Sequence, residues 1–186
     1  NVHFLDNNYT VAKRRGITNM TKRILPIIFG LILIGIVSLS LDKKNINDFS
    51  MISIEGENIS TYELRGKVYL INFWATDCPG CINEMPELIN TYNNYKKQNF
   101  EVIAVAMFYD PPNRVLNFVK AEKLPFPVVL DIDKKIMNNF KDIKLTPTSI
   151  LIDHEGKIIN TIIGEINFLK FNKSLEVLLK KANARS

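Results

Sequence analysis

Residues that commonly bind metals are scarce in this sequence, which has only two cysteines and two histidines among 186 residues. A structural zinc site needs four nitrogen or sulfur ligands, so it would have to combine Cys78 and Cys81 with His3 and His154. His3 precedes a long apolar run, and His154 lies in a predicted hairpin turn, where we expect it to be exposed and to have no role. The sequence therefore predicts no metal site.

An excess of positive charge is also absent from most of the chain. The net charge is +5, but five of the 24 basic residues and only one of the 19 acidic residues lie in the first 23 positions. The remaining 19 bases and 18 acids nearly balance. No basic patch is left to favour nucleic acid as a partner, and we find no internal repeat or low-complexity segment.

One long run without charge occupies residues 24–41 and consists mostly of Ile, Leu, Val and Gly. As a helix it would span about 27 Å, close to the ~30 Å core of a bilayer. The basic residues before it predict that residues 1–23 are cytoplasmic and that the rest of the chain faces outward. We interpret residues 24–41 as a transmembrane anchor or an uncleaved signal; the alternatives are a cleaved signal peptide and a buried helix.

The rest of the sequence predicts one α/β domain at residues 49–182, after a polar linker at 42–48 and before a short tail at 183–186. Short apolar runs around a glycine turn predict an N-terminal β-hairpin at 51–61. Hydrophobic periodicity and turn residues then predict, in order, a strand at 68–73, a helix at 79–97 interrupted by Pro86, a strand at 100–107, a helix at 113–123, a strand at 126–130, a short helix at 133–140, strands at 148–152 and 157–163, and a helix at 167–182.

Both cysteines lie in one motif, Cys78-Pro79-Gly80-Cys81, at the junction of a predicted strand and a predicted helix. This arrangement is typical of thiol–disulfide exchange. Cys78 would lie at the helix N-terminus, where free N–H groups stabilise a thiolate, and Cys81 would lie one turn further in and be more buried. Pro79 suits the first helical position. The alternative is a static disulfide, which would stabilise little in so short a loop.

Four further segments resemble one family. Asn72-Phe73-Trp74-Ala75-Thr76 precedes the cysteines and Glu84-Met85-Pro86 follows them, and two later motifs are Phe126-Pro127-Val128-Val129-Leu130-Asp131 and Thr146-Pro147-Thr148-Ser149-Ile150-Leu151-Ile152-Asp153. Over about residues 49–180 the chain resembles the TlpA/ResA group of membrane-anchored thioredoxin-like proteins. The resemblance implies a thioredoxin-like fold, with a central mixed sheet flanked by helices, and it implies no cofactor.

The resemblance also implies roles for single residues. Pro147 should follow a cis bond and lie beside the cysteines, where the backbone of Thr146 could pair with a substrate peptide as an added strand. Pro79 and Trp74 are expected at the substrate-binding surface, although Trp74 could instead pack beneath the active-site loop. Glu84, one helical turn after Cys81, could relay a proton, the alternative being a solvated helix residue.

Many thioredoxins have a buried aspartate six residues before the first cysteine, where this chain has Asn72. An amide cannot titrate, which transfers the expected proton-handling role to Glu84.

These observations predict an outward-facing, membrane-anchored thiol–disulfide oxidoreductase that reduces protein disulfides. The resemblance implies apocytochrome c as the first substrate and a copper-binding oxidase subunit as the alternative, with a membrane thiol-electron carrier as the source of electrons. A metallochaperone that uses Cys78 and Cys81, with or without His154, and a disulfide-forming oxidase are the rival hypotheses.

Overall fold

The computed structural model describes residues 45–140 and 143–184 of the chain. These residues form two small strands, five longer or central strands and four α-helices. In chain order they are β1 (Ser50–Ile52), β2 (Asn58–Ser60), β3 (Val68–Trp74), α1 (Pro79–Tyr95), β4 (Phe100–Ala106), α2 (Pro112–Glu122), β5 (Val128–Leu130), α3 (Lys135–Asn139), β6 (Thr148–Ile152), β7 (Ile158–Ile163) and α4 (Phe168–Asn183).

Five of the strands form one mixed sheet in the order β5-β4-β3-β6-β7. Strands β3, β4 and β5 are parallel, whereas β6 is antiparallel to β3 and β7 is antiparallel to β6. The predicted α/β fold with a central mixed sheet is therefore confirmed. In the β3–β6 pair Phe73 lies opposite Thr148, and Tyr69 lies opposite Ile152. The loop that follows β3 and the loop that precedes β6 consequently meet at the same end of the strands, where the parallel strands have their C-termini. We call this end of the sheet the cysteine edge.

The central strand β3 is buried along its whole length. Its side chains alternate between the two faces of the sheet. Leu70 and Trp74 belong to a core that includes residues of α1, α2 and α4. Ile71 and Phe73 belong to the opposite core, which includes α3 and the N-terminal strands. Burial on both faces explains why β3 is a nearly continuous apolar run.

The predicted N-terminal hairpin is present as the antiparallel pair β1 and β2, in which Ser50 lies opposite Ser60. The turn that joins them passes through Gly56, whose φ of 87° lies in the region that glycine favours. After β1 the chain contacts β5, the outer strand of the main sheet, where Ile54 N donates a hydrogen bond to Val128 O at 2.8 Å.

The expected interruption at Pro86 is wrong, because α1 continues through this residue to Tyr95. Pro86 lacks the N–H that would bond to the carbonyl of Ile82. Its own side chain is exposed, however, while Met85 and Leu88 on either side of it are buried in the core. Packing of these neighbours compensates for one lost hydrogen bond and keeps the helix intact.

Within residues 45–140 and 143–184, no helix is both long and apolar enough to cross a membrane. The anchor predicted at residues 24–41, and the basic segment at 1–23, lie outside the described residues.

Candidate active site

The two cysteines lie at the N-terminal end of α1 and are joined by a disulfide, with 5.3 Å between their Cα atoms. Cys78 has an extended backbone and caps the helix, and its Sγ accepts a hydrogen bond from Cys81 N at 3.2 Å. Pro79 is the first helical residue and is exposed. Cys78 is partly exposed whereas Cys81 is completely buried. Of the two sulfurs, only that of Cys78 can therefore attack another protein or be attacked by one.

The Thr146–Pro147 peptide bond is cis, as expected. Because Thr148 pairs with Phe73, this bond lies at the same edge of the sheet as the loop that leads to Cys78. The carbonyl of Pro147 accepts a hydrogen bond from Gly164 N at 2.8 Å, and Thr146 is partly exposed. Because the carbonyl of Pro147 already has a partner, main-chain hydrogen bonds to a substrate would be made by Thr146.

Glu84 is not a solvated helix residue, since only 4% of it is exposed. Its Oε1 accepts a hydrogen bond from Asn72 Nδ2 at 3.0 Å, and its Oε2 accepts one from Ile166 N at 2.9 Å. Asn72 Nδ2 also donates to Ser149 Oγ at 2.9 Å. One helical turn after Cys81, α1 therefore carries a buried carboxylate that is held by Asn72 of the sheet and by Ile166 in the turn before α4.

Burial raises the pKa of Glu84 above its ordinary value. The hydrogen bonds from Ile166 and Asn72 oppose this shift, and the negative charge of Glu165 adds to it. A carboxyl group with a raised pKa exchanges its proton at a pH closer to the range in which thiols react. This makes Glu84 chemically suited to the predicted proton relay.

Trp74 contributes to the core and not to a docking surface. None of its side chain is exposed, and its ring packs against Phe118 with 5.1 Å between centroids. A completely buried side chain cannot touch a docked protein, so the prediction that Trp74 contacts substrate is wrong and the packing alternative is correct. The reason is its position at the end of β3, on the face covered by helices.

Asp110, a buried residue in the loop after β4, is a part of the site that no sequence motif indicated. Its carboxylate accepts hydrogen bonds from Thr76 N and from Thr76 Oγ1, both at 2.6 Å. These bonds fasten the segment before Cys78 to the neighbouring loop. The one available signal was position, since Asp110 follows a strand parallel to β3 and therefore lies at the same sheet edge.

His154 differs from the sequence-based expectation, because both of its ring nitrogens are buried and have no hydrogen-bond partner. Its backbone oxygen accepts from Gly66 N at 2.9 Å, which places it near the start of β3, at the edge of the sheet opposite Cys78. It therefore cannot join the cysteines in a shared metal site. Among the described residues, no three His, Cys, Asp or Glu side chains are grouped so that they could hold a metal ion.

Comparisons with known proteins agree with this geometry. The protein-family model described as Redoxin matches residues 42–175. A thiol-disulfide oxidoreductase ResA from Bacillus cereus is 38% identical over 122 residues, which are 66% of this chain and 69% of that protein.

Solved structures show the same fold. The solution structure of a presumptive thioredoxin from Neisseria meningitidis is 41% identical, with a TM-score of 0.71 over 77% of this chain and 95% of that one. The structure of a thioredoxin-family thiol:disulfide interchange protein from Chlorobium tepidum is 27% identical, with a TM-score of 0.67 over 74% of this chain and 97% of that one. Together with the Cys78–Cys81 pair at the start of α1, these matches establish that the chain belongs to the redoxin family and is a thioredoxin-fold thiol–disulfide oxidoreductase of the TlpA/ResA type.

Proposed function

We propose that this oxidoreductase works as a membrane-anchored reductant on the outer side of the cytoplasmic membrane, and that its first substrate is the oxidised cysteine pair of apocytochrome c. The observation that carries the exchange chemistry is the asymmetry of the site, and the reductive direction is proposed from the family resemblance. One sulfur, that of Cys78, is accessible, while Cys81 and the Glu84 carboxylate are buried one helical turn apart. Such an arrangement suits a two-step exchange that ends with the disulfide on the enzyme.

The exchange begins with the reduced enzyme. The Cys78 thiolate attacks one sulfur of the substrate disulfide, the substrate S–S bond breaks, and one substrate thiolate leaves. Cys81 then loses its proton to the Glu84 carboxylate, and its sulfur attacks Sγ of Cys78. The mixed disulfide breaks, the second substrate thiolate leaves, and both substrate thiolates take up protons. Two electrons have passed to the substrate, and the enzyme is left with the Cys78–Cys81 disulfide.

Substrate positioning falls to the exposed residues around Cys78. Pro79 borders the cysteine on its own helix, and Thr146 offers its backbone on the facing loop. The exposed side chain of Tyr109 extends this border, since its hydroxyl lies 3.4 Å from Thr146 Oγ1. An extended peptide that pairs with Thr146 would bring its disulfide against the sulfur of Cys78.

The oxidised enzyme must be reduced again before the next turnover. Soluble thiol reductants are kept in the cytoplasm, so a protein that faces outward needs a donor within the membrane. We propose a membrane thiol-electron carrier, which would attack the exposed Cys78 sulfur by the same chemistry in reverse. The uncharged run at residues 24–41 supports this placement, because it would keep the domain at the membrane surface.

Apocytochrome c is proposed because the family resemblance includes this role and because haem attaches to thiols and not to disulfides. Deleting the gene should therefore lower covalently haem-bound cytochrome c without lowering total haem, and a small thiol added to the medium should restore it. Normal cytochrome c together with reduced copper in a terminal oxidase would instead identify the copper-binding subunit as the substrate.

Failure of the thiol to rescue either defect would mean that electron supply is not the function lost. In that case the metallochaperone alternative would gain support, and tight stoichiometric copper binding by the reduced domain would establish it. The remaining rival hypothesis is a disulfide-forming oxidase. The reduction potential of the Cys78–Cys81 pair distinguishes it from a reductant, because a strongly oxidising value would indicate an oxidase.

A further inference from the structure

The turn between β7 and α4, residues 164–166, contacts three separate parts of the active site. Gly164 N donates to Pro147 O at 2.8 Å, in the cis-proline loop. Ile166 N donates to Glu84 Oε2 at 2.9 Å. The side chain of Glu165, between these two residues, lies against Gly80 at the start of α1. The redox chemistry described above assigns no role to residues 164–166 themselves.

The contact of Glu165 with Gly80 is close because Gly80 has no side chain. A methyl group at Gly80 would stand 3.1 Å from Glu165 Oε1 and 3.2 Å from its Cγ, which is tighter than ordinary van der Waals contact. Gly80 lies between Cys78 and Cys81 in the motif, so the carboxylate of Glu165 is adjacent to the redox pair. The positive φ of Gly164, 87°, sets the course of the backbone that brings it there.

The charge of Glu165 is not neutralised by a neighbour. Its side chain is exposed, and no hydrogen bond or ion pair joins it to another described residue. Lys170 lines the same surface groove but forms no ion pair with Glu165, and Asp77, beside Cys78, is a second exposed carboxylate. The Glu84 carboxylate is approached by Asn72 from the sheet and by Ile166 N and the charge of Glu165 from the turn, while Cys81 lies one helical turn before it on α1.

We propose that Glu165 is a positioning residue of the redox site, whose negative charge, held against Gly80 by the turn, disfavours further negative charge on Cys78 and Glu84. A thiolate exists only in the reduced protein, whereas the disulfide is neutral. Repulsion by Glu165 therefore destabilises the reduced form relative to the disulfide. This strengthens the protein as a reductant, so the inference deepens the proposed direction of electron flow.

The test is the variant Glu165→Gln, which keeps the size of the side chain and removes its charge. The thiolate fraction of Cys78, followed by ultraviolet absorbance, should rise roughly three- to fivefold at pH values below its midpoint, as expected for exposed unit charges a few ångströms apart. At pH values above that midpoint, where the thiolate is the main form of reduced Cys78, the equilibrium with glutathione should shift toward the reduced protein by a similar factor. The pH profile of exchange should move to lower pH, since one contribution that raises the Glu84 pKa is gone.

Glu122→Gln is the matched control, because Glu122 is exposed at the far end of α2, away from the sheet edge that holds the cysteines. This control should change none of the three measurements. Unchanged thiolate fraction and glutathione equilibrium in Glu165→Gln would overturn the proposal. Both assays use no physiological substrate, so their outcome is independent of whether apocytochrome c is reduced in the cell.

A double-mutant cycle with Gly80→Ala tests whether the contact itself matters. The added methyl group should push the Glu165 carboxylate away from the cysteines. The effect of Glu165→Gln on the glutathione equilibrium should therefore be clearly smaller in the Gly80→Ala background than in the natural protein. Additive effects of the two substitutions would show that the carboxylate does not act from this position and would overturn the proposal.

Discussion

At the scale of single residues, the two cysteines differ in one respect that decides their order in the reaction. Cys78 caps the helix and is partly exposed, while Cys81 lies one turn further in and is buried. In Cys81→Ala, Cys78 should therefore still attack the substrate disulfide. Without Cys81 to displace the substrate, mixed disulfides should accumulate. Cys78→Ala should trap none, because the remaining sulfur is inaccessible.

Trapping is measured on non-reducing gels after rapid acidification, with reduced samples as the control. The double variant lacking both cysteines gives the background. Equal trapping by the two single variants would contradict the assigned order, and trapping by neither would indicate a structural disulfide.

Glu84 offers a second prediction at the same scale. Its folded-state pKa is raised above 4.5 by burial, so the native state holds this proton more tightly than the unfolded chain. The contribution of Glu84 to the free energy of unfolding is therefore fully present below pH 4.5 and is lost as pH rises through the folded pKa. Glu84→Gln should lack this decline in the free energy of unfolding, and its exchange rate should lose the dependence on pH that the carboxylate causes.

The measurement is urea unfolding at a series of pH values, together with disulfide exchange over the same series. Glu87→Gln is the control, because Glu87 is exposed on the same helix. A stability curve of Glu84→Gln that falls with pH as steeply as that of the natural protein would contradict the assignment of this decline to Glu84. An unchanged exchange profile would remove Glu84 from the proton relay.

At the scale of elements, the active-site segment before α1 depends on a single buried side chain. Asp110 accepts two hydrogen bonds from Thr76, and bonds to charged groups contribute more than neutral ones. Asp110→Ala should lower the free energy of unfolding by about 2–3 kcal/mol. It should also slow exchange, because the segment that presents Cys78 is released. Urea denaturation measures the first effect.

Glu57→Ala is the comparison, since Glu57 is exposed in the turn between β1 and β2. Its free energy of unfolding should stay within about 0.5 kcal/mol of the natural value. If Asp110→Ala behaved like this control, the two bonds to Thr76 would not stabilise the loop.

The elements also show how far the sequence could predict this protein. Alternating and continuous apolar runs predicted every strand and helix of the domain, and the family motif predicted the cis bond at Pro147. The expectation at Pro86 failed because local rules take no account of Met85 and Leu88, whose burial holds the helix together. His154 was predicted to be exposed from its turn, yet tertiary packing covers its ring.

The contacts of Glu84 mark the limit of sequence reasoning most clearly. Its partners Asn72 and Ile166 lie on β3 and in the turn before α4, 12 and 82 residues away along the chain. Ser149, which accepts from the same Asn72 amide, lies on the antiparallel strand β6. A single sequence carries no signal for such pairings, because they depend on strand register and on the path of a loop. The contact of Glu165 with Gly80 could not be predicted for the same reason, because it depends on the path of the turn after β7.

At the scale of the whole molecule, function is concentrated at one edge of the sheet. The loops after β3 and β4, the loop before β6 and the turn after β7 all meet there because of the strand order and directions. The opposite edge holds His154 in the link between β6 and β7, where Arg65 Nη1 donates a hydrogen bond to Glu155 O at 2.6 Å, and it lies away from the cysteines. If residues 24–41 anchor the domain as proposed, an orientation with the cysteine edge free would let it reach both a substrate and a membrane donor.

The membrane anchor is a prediction about the part of the sequence that precedes the folded domain. Because residues 24–41 carry no charge and follow a basic cluster, the protein should sediment with membranes and resist extraction by carbonate. Introducing two charges with Leu31→Arg and Leu33→Arg should release it, since charges at the centre of a bilayer are costly. In cells stripped of any outer barrier, added protease should remove residues 42–186 while a cytoplasmic marker stays intact. Protection of the domain would place the cysteines in a reducing compartment, where an oxidised cytochrome precursor does not persist, and would contradict the proposed substrate.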